Sequence, residues 1–129
     1  MEMIKKDVKF EDLLGKTLCS ITNEKYYLLF SINNRIQYIM EHDQDCCEDV
    51  YVEDICGDLN DIIDSPILLA EKITSNTNPE GIEKEYQDSF TWTFYKLSTI
   101  KGSVTIRWYG SSNGCYSEEV SFYKEIINE

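Results

Sequence analysis

Positions 42–48 read "HDQDCCE", so the chain's one histidine, three carboxylates and two adjacent cysteines fall within seven residues. Such residues can ligate a metal, run acid–base or thiol chemistry, or build a polar binding loop. As zinc ligands, His42, Cys46, Cys47 and Cys56 give H-x3-C-C-x8-C. That spacing lacks the paired knuckles of common structural zinc sites. Calcium would take oxygens from Asp43, Gln44, Asp45 and Glu48, yet the loop glycine and terminal Glu of an EF-hand are missing at their offsets. A Cys46 or Cys47 nucleophile with His42 as its base is disfavoured, because the flanking carboxylates raise a thiol's pKa. Those acids can instead hold His42 as a protonated donor. Asp43 and Asp45 can also cap turns, with the two cysteines as small buried residues. The expectation is a polar wall of His42, Asp43, Gln44 and Asp45 that binds a ligand, with no catalytic residue, metal or cofactor.

A second candidate cluster surrounds "RWYGSSNGCYS" (107–117). Arg107 is one of only two arginines. The glycines and serines of "GSSNG" can offer backbone N–H groups and hydroxyls to an anion. Tyr109, Tyr116 and Tyr95 can stack on a base or sugar. The expected ligand set here is Arg107, Tyr109, Ser112, Asn113 and Tyr116. The plainer reading is an Arg107–Glu119 cross-strand pair, formed if the Asn-Gly turn closes a hairpin.

These residues must be positioned by strands. "TLCSIT", "KYYLLFSI" and "RIQYIMEH" read as a meander that delivers the chain to His42. "KFEDLLGKT" reads as one helical turn stopped by Gly15, and "DLNDIID" as another turn. Val50 and Val52 alternate, and "PILLAEKIT" is a strand with Pro66 in a tolerable first position. Residues 75–89 form a long polar loop. In "SFTWTFYKL" and "SVTIRWYG", Phe90, Trp92 and Phe94 alternate with Thr91, Thr93 and Tyr95, and Val104, Ile106 and Trp108 with Thr105, Arg107 and Tyr109. Val120 and Phe122 continue an apolar face. The predicted architecture is α+β and mainly antiparallel: about seven strands in one curled sheet, one or two short helices, and a single domain over residues 1–129.

Composition bounds what such a fold can do. With 129 residues, 42% apolar, the chain has enough material for one buried core. No stretch reaches the apolar length of a membrane span, and "MEMIKKDVKFEDLLG" has no apolar signal region, so a cytoplasmic setting is expected. There the five cysteines should stay reduced, and neighbours such as Cys46 and Cys47 rarely bridge each other. The net charge is −12, which disfavours direct nucleic-acid binding and permits a basic partner, a cation or simply high solubility. Ten acidic residues and no Lys or Arg lie between Glu41 and Asp64.

"HDQDCCE", "EDICGDL", "PILLAE", "WTFYKLSTIKGSVTIRWYG" and "SNGCYS" together resemble a family of small phage and prophage proteins, over about residues 39–122. That family usually has "SNGYYS", and Cys115 replaces its first tyrosine here, leaving Tyr116 for any stacking. The resemblance implies a phage origin, hence the cytoplasm of an infected bacterium, and a compact mixed β fold. By analogy with small phage accessory proteins it suggests an anti-defence role. The leading expectation is a protein that sequesters a nucleotide-like immune signal, with a homo-oligomer as one way to build the site. The alternative is an acidic protein that binds a basic host protein as an inhibitor or nucleic-acid mimic. A metal-dependent nucleotide hydrolase is the third.

Overall fold

The structure, a computed structural model, describes residues 2–84 and 87–128; Glu85 and Tyr86, inside the expected long loop, lie outside them. Among the described residues there are nine strands: β1 (Glu2–Asp7), β2 (Ser20–Asn23), β3 (Tyr27–Ser31), β4 (Ile36–Glu41), β5 (Asp49–Cys56), β6 (Leu69–Ser75), β7 (Ser89–Thr99), β8 (Gly102–Ser112) and β9 (Ser121–Asn128). They form two antiparallel sheets, ordered β1-β9-β4-β3-β2 and β5-β8-β7-β6. The antiparallel expectation holds, but the single curled sheet of seven strands does not. Helix is limited to two short 3-10 turns, Phe10–Leu13 and Leu59–Ile62, so the fold is mainly β rather than α+β. Gly15 does stop the first of these, at φ 79°. Among the described residues no helix is long and apolar enough to cross a membrane.

The two sheets share one core. Leu28, Phe30, Tyr38, Met40 and Phe122 from the larger sheet meet Val50, Tyr95, Leu97, Ile106 and Trp108 from the smaller. The Trp108 Nε1–H reaches across to Met40 Sδ at 3.1 Å. Phe10, in the first 3-10 turn, packs on Tyr95 and Phe122 with ring centroids 4.7 and 5.3 Å away.

The divergence from one sheet begins at Asn113-Gly114. β8 pairs with β5 and β7, while β9 pairs with β1 and β4. The turn therefore carries the chain from one sheet to the other and closes no hairpin. Its polar groups are satisfied locally: Cys115 N–H donates to Asn113 Oδ1 and Gly114 N–H to Ser112 Oγ, both at 3.0 Å. Side chains thus replace the ladder bonds that the Asn-Gly signal implies. Gly110 permits the return path, since a Cβ there would sit 3.0 Å from Glu118 Cβ and carbonyl oxygen.

β7 and β8 show the expected alternation, with an unexpected partition. Thr93, Tyr95 and Leu97 sit opposite Trp108, Ile106 and Val104 on the core side. Trp92 and Phe94 share the outer face with Tyr109 and Arg107. Asn78, Lys84 and Gln87 lie over that face, where Trp92 Nε1–H donates to Asn78 Oδ1 at 3.0 Å. Trp92 and Tyr109 are both buried there, with ring centroids 4.6 Å apart.

Candidate functional site

β4 ends at Glu41 and β5 starts at Asp49, and the connecting loop is organised around Glu48. Glu48 precedes Val50 and Val52 by steps of two, so the strand period points its side chain inward. A buried carboxylate needs donors, and the loop supplies four. Oε2 accepts from His42 Nε2 at 2.8 Å and from Asp45 N–H at 3.0 Å. Oε1 accepts from Cys46 N–H at 2.9 Å and from Gln44 Nε2 at 3.3 Å. Burial alone would raise the Glu48 pKa. The bonds from His42 and from the Cys46 and Asp45 N–H groups outweigh it and bring it down to about 2.

His42 is clamped on both sides, because its Nδ1 lies 2.7 Å from the Glu119 carbonyl oxygen. Through these two ring-nitrogen contacts His42 holds the 42–48 loop against the 117–121 segment. Gln44 adds a bond to the Glu48 carbonyl oxygen at 2.7 Å.

The chain bends at Cys46 and Cys47 instead of extending. Their sulfurs are joined as a disulfide, in contrast to the expected free thiols. The physical reason is local: Glu48 draws the Asp45 and Cys46 amides inward, so the two side chains no longer alternate across a strand. Cys19, Cys56 and Cys115 are free and exposed. Among the described residues no three His, Cys, Asp or Glu side chains are placed to hold a metal ion.

His42, Asp43, Gln44, Asp45 and Glu48 line a cleft of about 470 Å³ with Ser117, Glu119 and Ser121. Asp43, Asp45 and Glu119 are exposed. No lysine or arginine lines this cleft. The two sequence clusters adjoin through the 117–121 segment and through Asp49 of β5, which lies opposite Ser111. Ser112 Oγ donates to Glu118 Oε2 at 2.6 Å, and Thr91 Oγ1 donates to Glu118 Oε1 at 2.8 Å. Asn113 is exposed at the turn and Tyr116 is half-buried.

Arg107 and Tyr109 do not line the cleft. A bulge at Glu53 sets both Glu53 and Asp54 beside Arg107. Glu53 accepts from Arg107 Nε at 2.5 Å, and Asp54 lies 3.7 Å from Nη2. This pairing replaces the Arg107–Glu119 pair expected from a hairpin. Tyr109 is buried, its hydroxyl accepting from Gln87 Nε2 at 2.7 Å. The guanidinium also sits 5.5 Å from the Trp92 ring centroid. Arg107→Ala is expected to cost about 1–2 kcal/mol in urea unfolding, through the lost ion pair and ring contact.

Ser117, Glu119 and Ser121 were not among the candidates from sequence, because an assumed hairpin placed the first two across from Arg107 and Thr105. Glu48 had a readable signal in its two-residue step from Val50.

A family model described as "Domain of unknown function (DUF7448)" matches residues 11–122. The chain belongs to this family. The DUF7448 match contains the whole 42–48 loop and the 107–121 segment, and β1 lies outside it. No curated protein and no solved structure matches the chain.

Proposed function

We propose that this DUF7448 chain is a non-catalytic binding module whose acidic cleft holds a basic segment of a partner protein. The observation that carries this reading is the lining of the cleft: three exposed carboxylates, Asp43, Asp45 and Glu119, with no lysine or arginine among them. Glu48 and His42 fix the loop before any partner arrives, so little ordering entropy is lost on binding. The sequence's negative charge speeds encounter with a cationic surface.

The nucleotide-signal reading needs a cation aimed at phosphate. Arg107 is engaged with Glu53 and Asp54 and lies away from the cleft. The Gly114 and Cys115 amides are taken by Ser112 and Asn113. A basic partner therefore fits the geometry better than a nucleotide. In the phage setting suggested by the motifs, that partner is a host protein in the bacterial cytoplasm, and binding it blunts a defence.

Calorimetric titration with acetylated, amidated octa-arginine tests the reading. Binding is expected at about 50 mM salt and should weaken at least about tenfold by 300 mM. Absence of binding at low salt contradicts it. So does a nucleotide released intact when freshly purified protein is denatured after native mass spectrometry.

A further inference from the structure

Beside the acidic cleft, a groove of about 540 Å³ runs between residues 7–11, with Lys9 and Glu11 among them, Lys72 of β6, Tyr95 of β7 and residues 119–122. Glu119 and Ser121 line both depressions, so the two adjoin there. Tyr95 is fully buried, and its hydroxyl is the one buried side-chain polar atom among the described residues that has no hydrogen-bond partner. Buried hydroxyls are nearly always paired, and one left open is a position where something else is expected to bond.

The neighbours of Tyr95 define what fits. Burial, and then the Glu119 charge, push its ionisation upward, so the hydroxyl stays a neutral donor. It therefore asks for an acceptor oxygen. Lys72 Nζ lies 5.9 Å from the Tyr95 ring centroid and favours the same kind of atom. The Lys72 and Glu119 side chains beside it are exposed. Glu119 accepts a cation on the cleft side, and Phe10, Val120 and Phe122 give the groove apolar walls. A peptide in extended conformation presents this combination, a cationic side chain followed by a main-chain carbonyl.

We propose that the basic segment continues past Glu119 into this groove, where a main-chain carbonyl of the partner accepts the Tyr95 hydroxyl proton. Tyr95 is then a specificity-determining contact, and the segment is read as an extended chain as well as a charge. This inference rests on the acidic-cleft reading for the identity of its occupant.

The test compares Tyr95→Phe with Asp43→Asn/Asp45→Asn in calorimetric titration with octa-arginine, with the melting temperature of each variant recorded. Tyr95→Phe is expected to weaken binding about fivefold, the worth of one neutral hydrogen bond. Its melting temperature should hold or rise, because an unpartnered buried hydroxyl is removed. Unchanged affinity in Tyr95→Phe overturns the inference, and if the aspartate variant still loses affinity, the cleft reading survives it. Loss in Tyr95→Phe without loss in the aspartate variant keeps the groove and overturns the cleft. A lowered melting temperature with unchanged affinity assigns the hydroxyl a structural role and also overturns the inference.

Discussion

Replacing Glu48 by glutamine is expected to loosen the entire 42–48 loop and to lower the melting temperature by at least about 5 °C. The carboxylate accepts from His42, Gln44, Asp45 and Cys46, and all four of its partners are donors. Glutamine keeps one acceptor oxygen and turns the other position into an NH₂ group. That group would face N–H donors, and a buried polar group without a partner is costly. The same side chain makes stability depend on acid. Its folded pKa is about 2, below the ordinary value of 4.5, so its contribution is complete above about pH 4.5 and is lost as pH falls toward 2. The stability gap between wild type and Glu48→Gln should be widest above pH 4.5 and close on acidification. Urea unfolding at several pH values reads this directly. A gap independent of pH would show that the carboxylate's charge does not organise the loop.

Charge reversal at the cleft is the second large effect. Asp43→Lys/Asp45→Lys removes two attractions for a basic segment and installs two repulsions. At about 0.5 kcal/mol for each change, the loss is about 2 kcal/mol, or about thirtyfold in affinity for octa-arginine. Net charge alone would act wherever it is placed, so the control matters. Glu80→Lys/Glu83→Lys alters the total charge equally, on exposed residues of the 76–88 segment outside the cleft. That control is expected to change affinity by less than about threefold. Equal losses in the two variants would mean that the polycation reads total charge and not this site.

The strands nearest the site were the most legible part of the fold. β3, β4, β7 and β8 have long alternating runs of apolar and β-branched residues, and period-two patterning resolves such runs well. β1 was not, because "EMIKKD" is exposed along its whole length and owes its strand state to pairing with β9. Pairing partners are not encoded locally, and that is also why the Asn-Gly turn misled. The dipeptide favours a turn in either case, while Ser112, Asn113 and Glu118 determine that this turn changes sheets. In β7 the alternation was legible, but which face turns to the main core was not. Phe90, Trp92 and Phe94 share the face opposite the main core, where Trp92 is buried beneath Asn78 and the two phenylalanines are half-buried.

For the candidate site, residue chemistry was readable and its grouping was not. His42, Asp43, Gln44 and Asp45 do line one cleft, since neighbours in a short loop stay neighbours. Arg107 lies in another part of the molecule because a one-residue bulge in β5 brings Glu53 and Asp54 to it, and bulges leave little trace in sequence.

The most direct measurement of the central claim is backbone amide shift mapping of ¹⁵N-labelled protein titrated with octa-arginine. A chain carrying −12 attracts a polycation from every side, so the location of binding decides the matter. The account predicts saturable shifts concentrated at residues 42–49 and 117–121, with a weaker extension to 7–11 and Tyr95. Shifts spread over all the acidic surfaces, or centred on Glu53, Asp54 and Arg107, would contradict it.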